Sequence, residues 1–241
     1  MIPLRDRNPT RETPYVTWAL IGACVVAFAI EQWVAASGGD RALAAFFQRW
    51  GAVPARITEA LEAGSYLGQA TLGIFTSMFL HGDWLHLLGN MLFLWIFGNN
   101  IEDRLGAIPY LLFYLVGGIA AALTQVVIDP QSEIPLVGAS GAIAAALGAY
   151  IVLFPGARIV SLVFLGFFYQ LLEVPALIVL GFWFALQLLN GVVTLGPETA
   201  EGGVAFFAHI GGFVFGLAVG LLLRVVGAGT GRERRSIGPM G

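Results

Sequence analysis

Apolar residues dominate five long stretches of the chain, each bounded by charged or turn-forming positions: Tyr15 to Ala36, Trp84 to Asn99, Ile108 to Ile128, Ser140 to Phe154 and Val204 to Val226. A helix needs about 20 mostly apolar residues to cross the hydrocarbon of a bilayer, and these stretches approach that length. A sixth run, Ile159 to Val193, is nearly long enough for two spans, but Glu173 and Pro175 interrupt it. The roughly 14 residues before the interruption have the length of an interfacial or re-entrant segment. The pattern therefore predicts a single span there, Val174 to Asn190, and six spans in all. Between the first and second spans, Ser37 to Phe75 is too long for a simple connection, and its amphipathic run Arg56 to Leu61 fits a membrane interface.

Composition supports a lipid-facing surface. Hydrophobic residues make up 58% of the chain and charged residues 11%, whereas soluble domains carry roughly 25% charged residues. The expected fold is all-α, a polytopic membrane bundle of six helices forming one domain over residues 1–241. Residues 1–14 read as a cytoplasmic tail. They hold Arg5, Asp6, Arg7, Arg11 and Glu12 with no apolar core, so the first span is expected to direct its own insertion. Residues 227–241 read as a basic cytoplasmic tail through Arg232, Arg234 and Arg235, suited to anionic lipid. A net charge of -3 with no large basic block gives no footprint for nucleic acid. The single cysteine, Cys24, excludes an intrachain disulfide and a multi-cysteine metal site.

Arginine sets the orientation. With the N-terminus inside, nine arginines are cytoplasmic, while Arg41, Arg49 and Arg56 lie outside, all in the long first loop. The outer loops after the third and fifth spans carry Asp129, Glu133, Glu198 and Glu201 and no arginine. Spans two, four and six then run in the same direction, and their outer ends carry His86 and Asn90, Ser140, and His209. Six spans, not seven, place these four polar residues at one depth.

The chemistry follows from that shared depth. On the fourth span Ser140, Ala144 and Gly148 recur at every fourth position, and on the sixth His209, Gly212, Gly216 and Gly220 form a similar stripe. Small stripes let membrane helices approach closely, which accounts for the glycines but not for the histidine. A serine hydroxyl becomes nucleophilic when a base takes its proton, and histidine is the base with an unperturbed pKa nearest neutrality. Ser140 and His209 are therefore the candidate catalytic dyad. No carboxylate lies near His209 in sequence, and Asp83 and Asp129 could reach it only through loop geometry, so packing or another hydrogen bond must orient the base. His86 and Asn90, four residues apart on one helix face, are candidate oxyanion donors with the Ser140 N–H at the positive end of the fourth span. His81, next to Asp83 and Trp84, reads as a solvated or loop-bracing histidine, and Glu31 as interfacial.

These residues resemble the rhomboid family of intramembrane serine proteases. The resemblance runs from Phe75 to Gly220 through Thr76-Ser77-Met78-Phe79-Leu80-His81, His86-xxx-Asn90, Glu102-Asp103-Arg104-Leu105-Gly106, Gly138-Ala139-Ser140-Gly141 and Ala208-His209-Ile210-Gly211-Gly212. It implies a rhomboid-like bundle with Ser140 as nucleophile and His209 as general base and acid. His86, Asn90 and the Ser140 amide would bind the oxyanion. The implied substrates are single-span membrane proteins cut in or near the membrane, without metal or cofactor. Glu102 and Arg104 take structural roles in the resemblance, residues 191–203 a cap, and the fifth span a lateral gate. The expected location is a multi-pass position in a prokaryotic inner membrane with both termini cytoplasmic. Many members stack the catalytic imidazole on an aromatic residue four positions after the nucleophile. Here that position is Ala144, so a neighbour such as Phe213, Phe93 or Phe182 is expected to fill the space, leaving His209 comparatively mobile. The rival readings are a catalytically silent rhomboid-like scaffold, whose mark is loss of Ser140 or His209, and a transporter, which would place ionisable groups at mid-depth.

Overall fold

A computed structural model describes residues 1–165, 168–194 and 205–229. The chain is mostly helical. Among the described residues, four helices are long and apolar enough to cross a membrane by themselves: α1 (Tyr15–Trp50), α6 (Ala107–Ile128), α8 (Ala176–Thr194) and α9 (Phe206–Gly229). A further crossing is assembled from α4 (Trp84–Phe93), a π-helical turn at Leu94–Gly98 and α5 (Asn99–Leu105), which run on without a break. The remaining one is α7 (Ser140–Leu153). These six bodies match the six predicted runs. α1, α6, α8 and α9 turn apolar side chains outward, among them Trp33, Val127, Leu177 and Val225, as a surface in lipid requires.

α7 differs from the others because protein encases it: every residue from Ala142 to Tyr150 is buried. Its 14 residues rise about 21 Å at 1.5 Å each, short of the ~30 Å hydrocarbon core. Its packing against α9 is closest at the predicted small-residue stripes. A methyl group added at Gly212 would strike the Gly141 carbonyl, one at Gly216 the Ala145 carbonyl, and one at Gly148 the Phe213 carbonyl. The two backbones therefore touch over about two turns, which only glycine permits. α6 closes the other side, where a methyl at Gly117 would lie 2.6 Å from Ala145 Cβ.

The long first connection is ordered. α1 turns at Gly39, whose φ of 69° favours glycine, and continues to Trp50. α2 (Pro54–Glu62) follows, with Pro54 in its first turn. It coincides with the predicted amphipathic run, and its Ile57 is fully buried. α3 (Gln69–Thr76) leads into a short 3-10 turn at Ser77–Phe79.

The opposite end of the bundle departs from a purely α-helical expectation. Ile2–Asp6 forms β1, Arg158–Leu165 β2 and Phe168–Pro175 β3, a three-stranded antiparallel sheet in the order β1-β2-β3. The apolar stretch expected to be interfacial or re-entrant is thus the β2–β3 hairpin, and α8 begins immediately after Pro175. The N-terminal segment, expected as a tail, is fastened. Asp6 accepts hydrogen bonds from Tyr150 Oη (2.8 Å) and Asn100 Nδ2 (2.7 Å), and Arg7 pairs with Glu173 at 2.6 Å. Glu102 accepts the N–H groups of Val16 and Thr17 and the Thr17 hydroxyl at 2.8–2.9 Å. It thereby caps the first turn of α1 with a buried carboxylate at the positive end of the helix. Asp103 accepts the N–H groups of Arg11 and Glu12. The structural role expected of Glu102 is this cap; Arg104 is exposed. α9 continues through Gly229, so residues 227–229 are helical and not tail. Arg232, Arg234 and Arg235, Glu198 and Glu201, and most of the expected cap at 191–203 lie outside the described residues.

Candidate active site

α4, α7 and α9 all begin at the end of the bundle away from the sheet, so these three spans run in one direction, and His86, Asn90, Ser140 and His209 line one cavity. Asp83 starts α4 by accepting the His86 N–H at 2.9 Å, which makes it a helix cap and not a partner of His209. His86 occupies the first turn and Asn90 the next on the same face. Ser140 opens α7 after Gly138, whose φ of 129° is open to glycine and whose N–H donates to the Ser77 carbonyl at 2.8 Å. A methyl group built on Gly138 would lie 2.7 Å from His86 Nε2 and 3.4 Å from Ser140 Oγ. Glycine thus leaves open the small space between the two side chains. His209 lies in the first turn of α9, and its Nε2 is 2.7 Å from Ser140 Oγ.

These groups line one cavity of about 610 Å³, with Trp183, Ser77 and Gly138 among its other walls. His86 Nδ1 accepts the Gly82 N–H at 3.4 Å, which leaves its Nε2 as the N–H donor facing Gly138. Asn90 is buried, and its side-chain amide nitrogen has no hydrogen-bond partner among the described residues. A buried amide without a partner costs about 1–3 kcal/mol, which marks this nitrogen as a candidate donor to a bound acceptor. The Ser140 N–H belongs to the first turn of α7, where backbone donors lack intrahelical acceptors, and α7 carries no side-chain cap.

The site contains two groups that the sequence reading did not include. Gln187, on α8, places its side-chain oxygen 2.8 Å from His209 Nδ1 and is itself buried. The Trp183 ring lies 5.8 Å from the His209 ring at 39°. The ring beside the imidazole is therefore Trp183 and not Phe213, Phe93 or Phe182. Phe213 stacks instead on Phe184 at 4.3 Å, and Phe182 is exposed. Both ring nitrogens of His209 are bonded, and an indole lies alongside. Ala144 is fully buried near Gly212, in packing that leaves no room for an aromatic side chain. The available signal was spacing, since Gln187 is one turn from the half-buried Trp183 on the inward stripe Ala176, Leu180, Trp183 and Gly191 of α8.

Close to His86, His81 takes the loop-bracing role of its two expected readings, whereas Glu31 departs from expectation. His81 is fully buried and braces a loop: its N–H donates to the Glu31 carboxylate at 3.1 Å, and its Nδ1–H donates to the Phe79 carbonyl at 3.1 Å. Burial, with His86 alongside, lowers its pKa from 6.5 to about 4. Glu31, expected at the interface, is fully buried on α1 and ties that helix to the start of α4. No group of three or more metal-ligating side chains occurs among the described residues.

Residues 69–225 match the family profile of the rhomboid domain. The chain is 31% identical over 153 residues to the mitochondrial rhomboid protein 1 of Saccharomyces cerevisiae, covering 62% of this chain and 41% of that protein. It is 33% identical over 146 residues to RHOMBOID-like protein 4 of Arabidopsis thaliana, covering 61% of this chain and 32% of the relative. Over 76 residues it is 40% identical to the rhomboid protease GluP of Bacillus subtilis, covering 32% of this chain and 14% of the relative. The chain spans less than half the length of these relatives. They come from a mitochondrion, a plant and a bacterium, so the likeness does not assign the chain to a prokaryotic membrane. The chain belongs to the rhomboid family and is a multi-pass membrane protein.

Proposed function

We propose that this rhomboid is an intramembrane serine endopeptidase that cuts single-span membrane proteins in or near the bilayer. The observation that carries the proposal is the 2.7 Å approach of His209 Nε2 to Ser140 Oγ in the cavity that also holds the unspent Asn90 amide. Of the three relatives named above, one is called a protease and two only rhomboid or rhomboid-like, so activity in this chain rests on its own residues.

In the proposed mechanism Ser140 Oγ attacks the substrate carbonyl carbon as its proton passes to His209 Nε2. The carbonyl electrons move onto oxygen, where the Ser140 N–H, Asn90 Nδ2 and His86 Nε2–H donate to the oxyanion. Collapse breaks the peptide C–N bond, and His209 gives its proton to the leaving amine. Water then attacks the acyl-enzyme, with His209 taking its proton and returning one to Ser140 Oγ. The proposed orientation, with both termini cytoplasmic, puts this end of the bundle on the outer side and follows the arginine distribution.

The test is cleavage of a single-span substrate by purified protein in proteoliposomes. Ser140→Ala and His209→Ala are each expected to abolish turnover while leaving thermal stability near the parent's. Asn90→Ala is expected to lower kcat by about ten- to a thousand-fold with a much smaller change in KM. Turnover retained by Ser140→Ala would overturn the proposal, and a folded parent that never cleaves would favour a silent scaffold.

A further inference from the structure

Among the described residues no carboxylate stands behind His209, and its Nδ1 meets instead a neutral amide from another helix. His209 Nδ1 lies 2.8 Å from Gln187 Oε1 while its Nε2 lies 2.7 Å from Ser140 Oγ. A neutral imidazole has one N–H and one lone pair, and which nitrogen carries the proton follows from the hydrogen bond its partner imposes. A carbonyl oxygen can only accept. With Gln187 Oε1 on Nδ1, the proton sits on Nδ1, and the Nε2 lone pair faces the serine hydroxyl. The opposite tautomer would point Nε2–H at Ser140 and leave no base.

We infer that Gln187 is the positioning residue of the dyad: its side-chain carbonyl fixes the Nδ1–H tautomer of His209 and supports the imidazolium formed when Ser140 gives up its proton. This deepens the protease reading and rests on it. Gln187 is a buried polar side chain of α8, and its buried neighbours Ala176, Val179 and Leu180 are apolar. A polar side chain within an apolar span costs energy unless partnered, and the partner here is the group whose protonation decides whether Ser140 can react. Trp183, one turn earlier on the same face, flanks the ring on which Gln187 acts. Both supports come from α8, so the tautomer is set only while α8 is seated against α9. A carboxylate performs the same task in soluble serine proteases, where losing the correct tautomer costs about 10⁴-fold in kcat. The carbonyl of Gln187 supplies the acceptor without burying a charge in the bundle.

The test compares the parent with Gln187→Leu and Gln187→Glu in two measurements. The first is kcat and KM on the single-span substrate. The second is the ¹⁵N spectrum of histidine-labelled protein, tractable because the chain has three histidines. Gln187→Leu is expected to lower kcat by about 10- to 1000-fold with KM nearly unchanged, and to remove the single Nδ1–H tautomer of His209. Gln187→Glu keeps an oxygen acceptor whether or not it is ionised, and is expected to restore both the tautomer and most of kcat. The His81 and His86 signals report whether each variant is folded. Full kcat and an unchanged tautomer in Gln187→Leu would overturn the inference. So would a loss that Gln187→Glu leaves uncorrected with the tautomer intact, since that assigns Gln187 to packing of α8. A parent whose Ser140→Ala variant still cleaves would instead overturn the protease reading, whatever the tautomer.

Discussion

The two helices that meet α9 on either side of His209 hold it in opposite ways. α7 lies against α9 backbone to backbone, with glycines at Gly148, Gly212 and Gly216 wherever a Cβ would strike a carbonyl. α8 meets α9 around the site through side chains: Phe184 stacked on Phe213, Trp183 beside His209, and Gln187 on its ring nitrogen. The outer face of α8, with Leu177, Ile178, Phe182, Leu189 and Val192, is exposed. Glycine contacts admit essentially one spacing between helices, whereas side-chain contacts can be made and unmade. The distance from Ser140 to His209 is thus a property of two backbones, and the orientation of the imidazole is a property of a helix at the rim.

This difference predicts a ranking of effects. Gly216→Val forces a branched side chain into the Ala145 carbonyl, and overpacking of this kind costs about 1–3 kcal/mol or more where the backbone cannot shift. Thermal unfolding in detergent should show a lowered midpoint together with loss of activity. A variant as stable and active as the parent would break the claim that α7 and α9 fix the spacing. Trp183→Ala, on the side-chain interface, should leave the midpoint closer to the parent's than Gly216→Val does. It is expected to reduce kcat by roughly two- to ten-fold, since aromatic contacts contribute about 0.5–1.5 kcal/mol beyond burial. A larger loss of stability from Trp183→Ala than from Gly216→Val would reverse the comparison.

A smaller effect at neutral pH comes from the third anchor, where Glu31 of α1 holds the His81 loop ahead of α4. His81 has a folded pKa lowered from 6.5 to about 4, so the neutral ring is the form the fold favours. Its contribution is fully present above about 6.5 and is lost as pH falls toward 4, on the order of 3 kcal/mol by linkage. Across this window the unfolding midpoint of the parent should therefore fall relative to that of His81→Gln. Identical slopes for the two proteins would remove His81 as the acid-sensitive group.

The hydrophobic pattern carried the crossings and, through their number, the meeting of His86, Asn90, Ser140 and His209 at one end. These depend on run length and direction, which are local properties. The β2–β3 hairpin was hidden because a short apolar run does not distinguish strand from buried or interfacial segment by period. The β-branched Ile159, Val160 and Val163 were the available signal. β1 escaped because its pairing partner, β2, lies some 150 residues away in sequence. Glu31 was misplaced and Gln187 missed for a related reason. Each polar side chain is explained by one bond to a group on another element, His81 N–H and His209 Nδ1. Polarity can be read along a chain, but the depth and facing of two helices cannot.

The measurement that bears most directly on the central claim is covalent labelling of the purified protein by a serine-directed fluorophosphonate, with the adduct located by peptide mass spectrometry. Reaction forms an Oγ–P bond and expels fluoride, and it requires a base beside the serine but no substrate and no lateral access. If Ser140 and His209 form a working dyad, one adduct appears, on Ser140, and it is lost in Ser140→Ala and in His209→Ala. An adduct on Ser77 or Ser161, or labelling of Ser140 at the parent's rate in His209→Ala, would contradict the account.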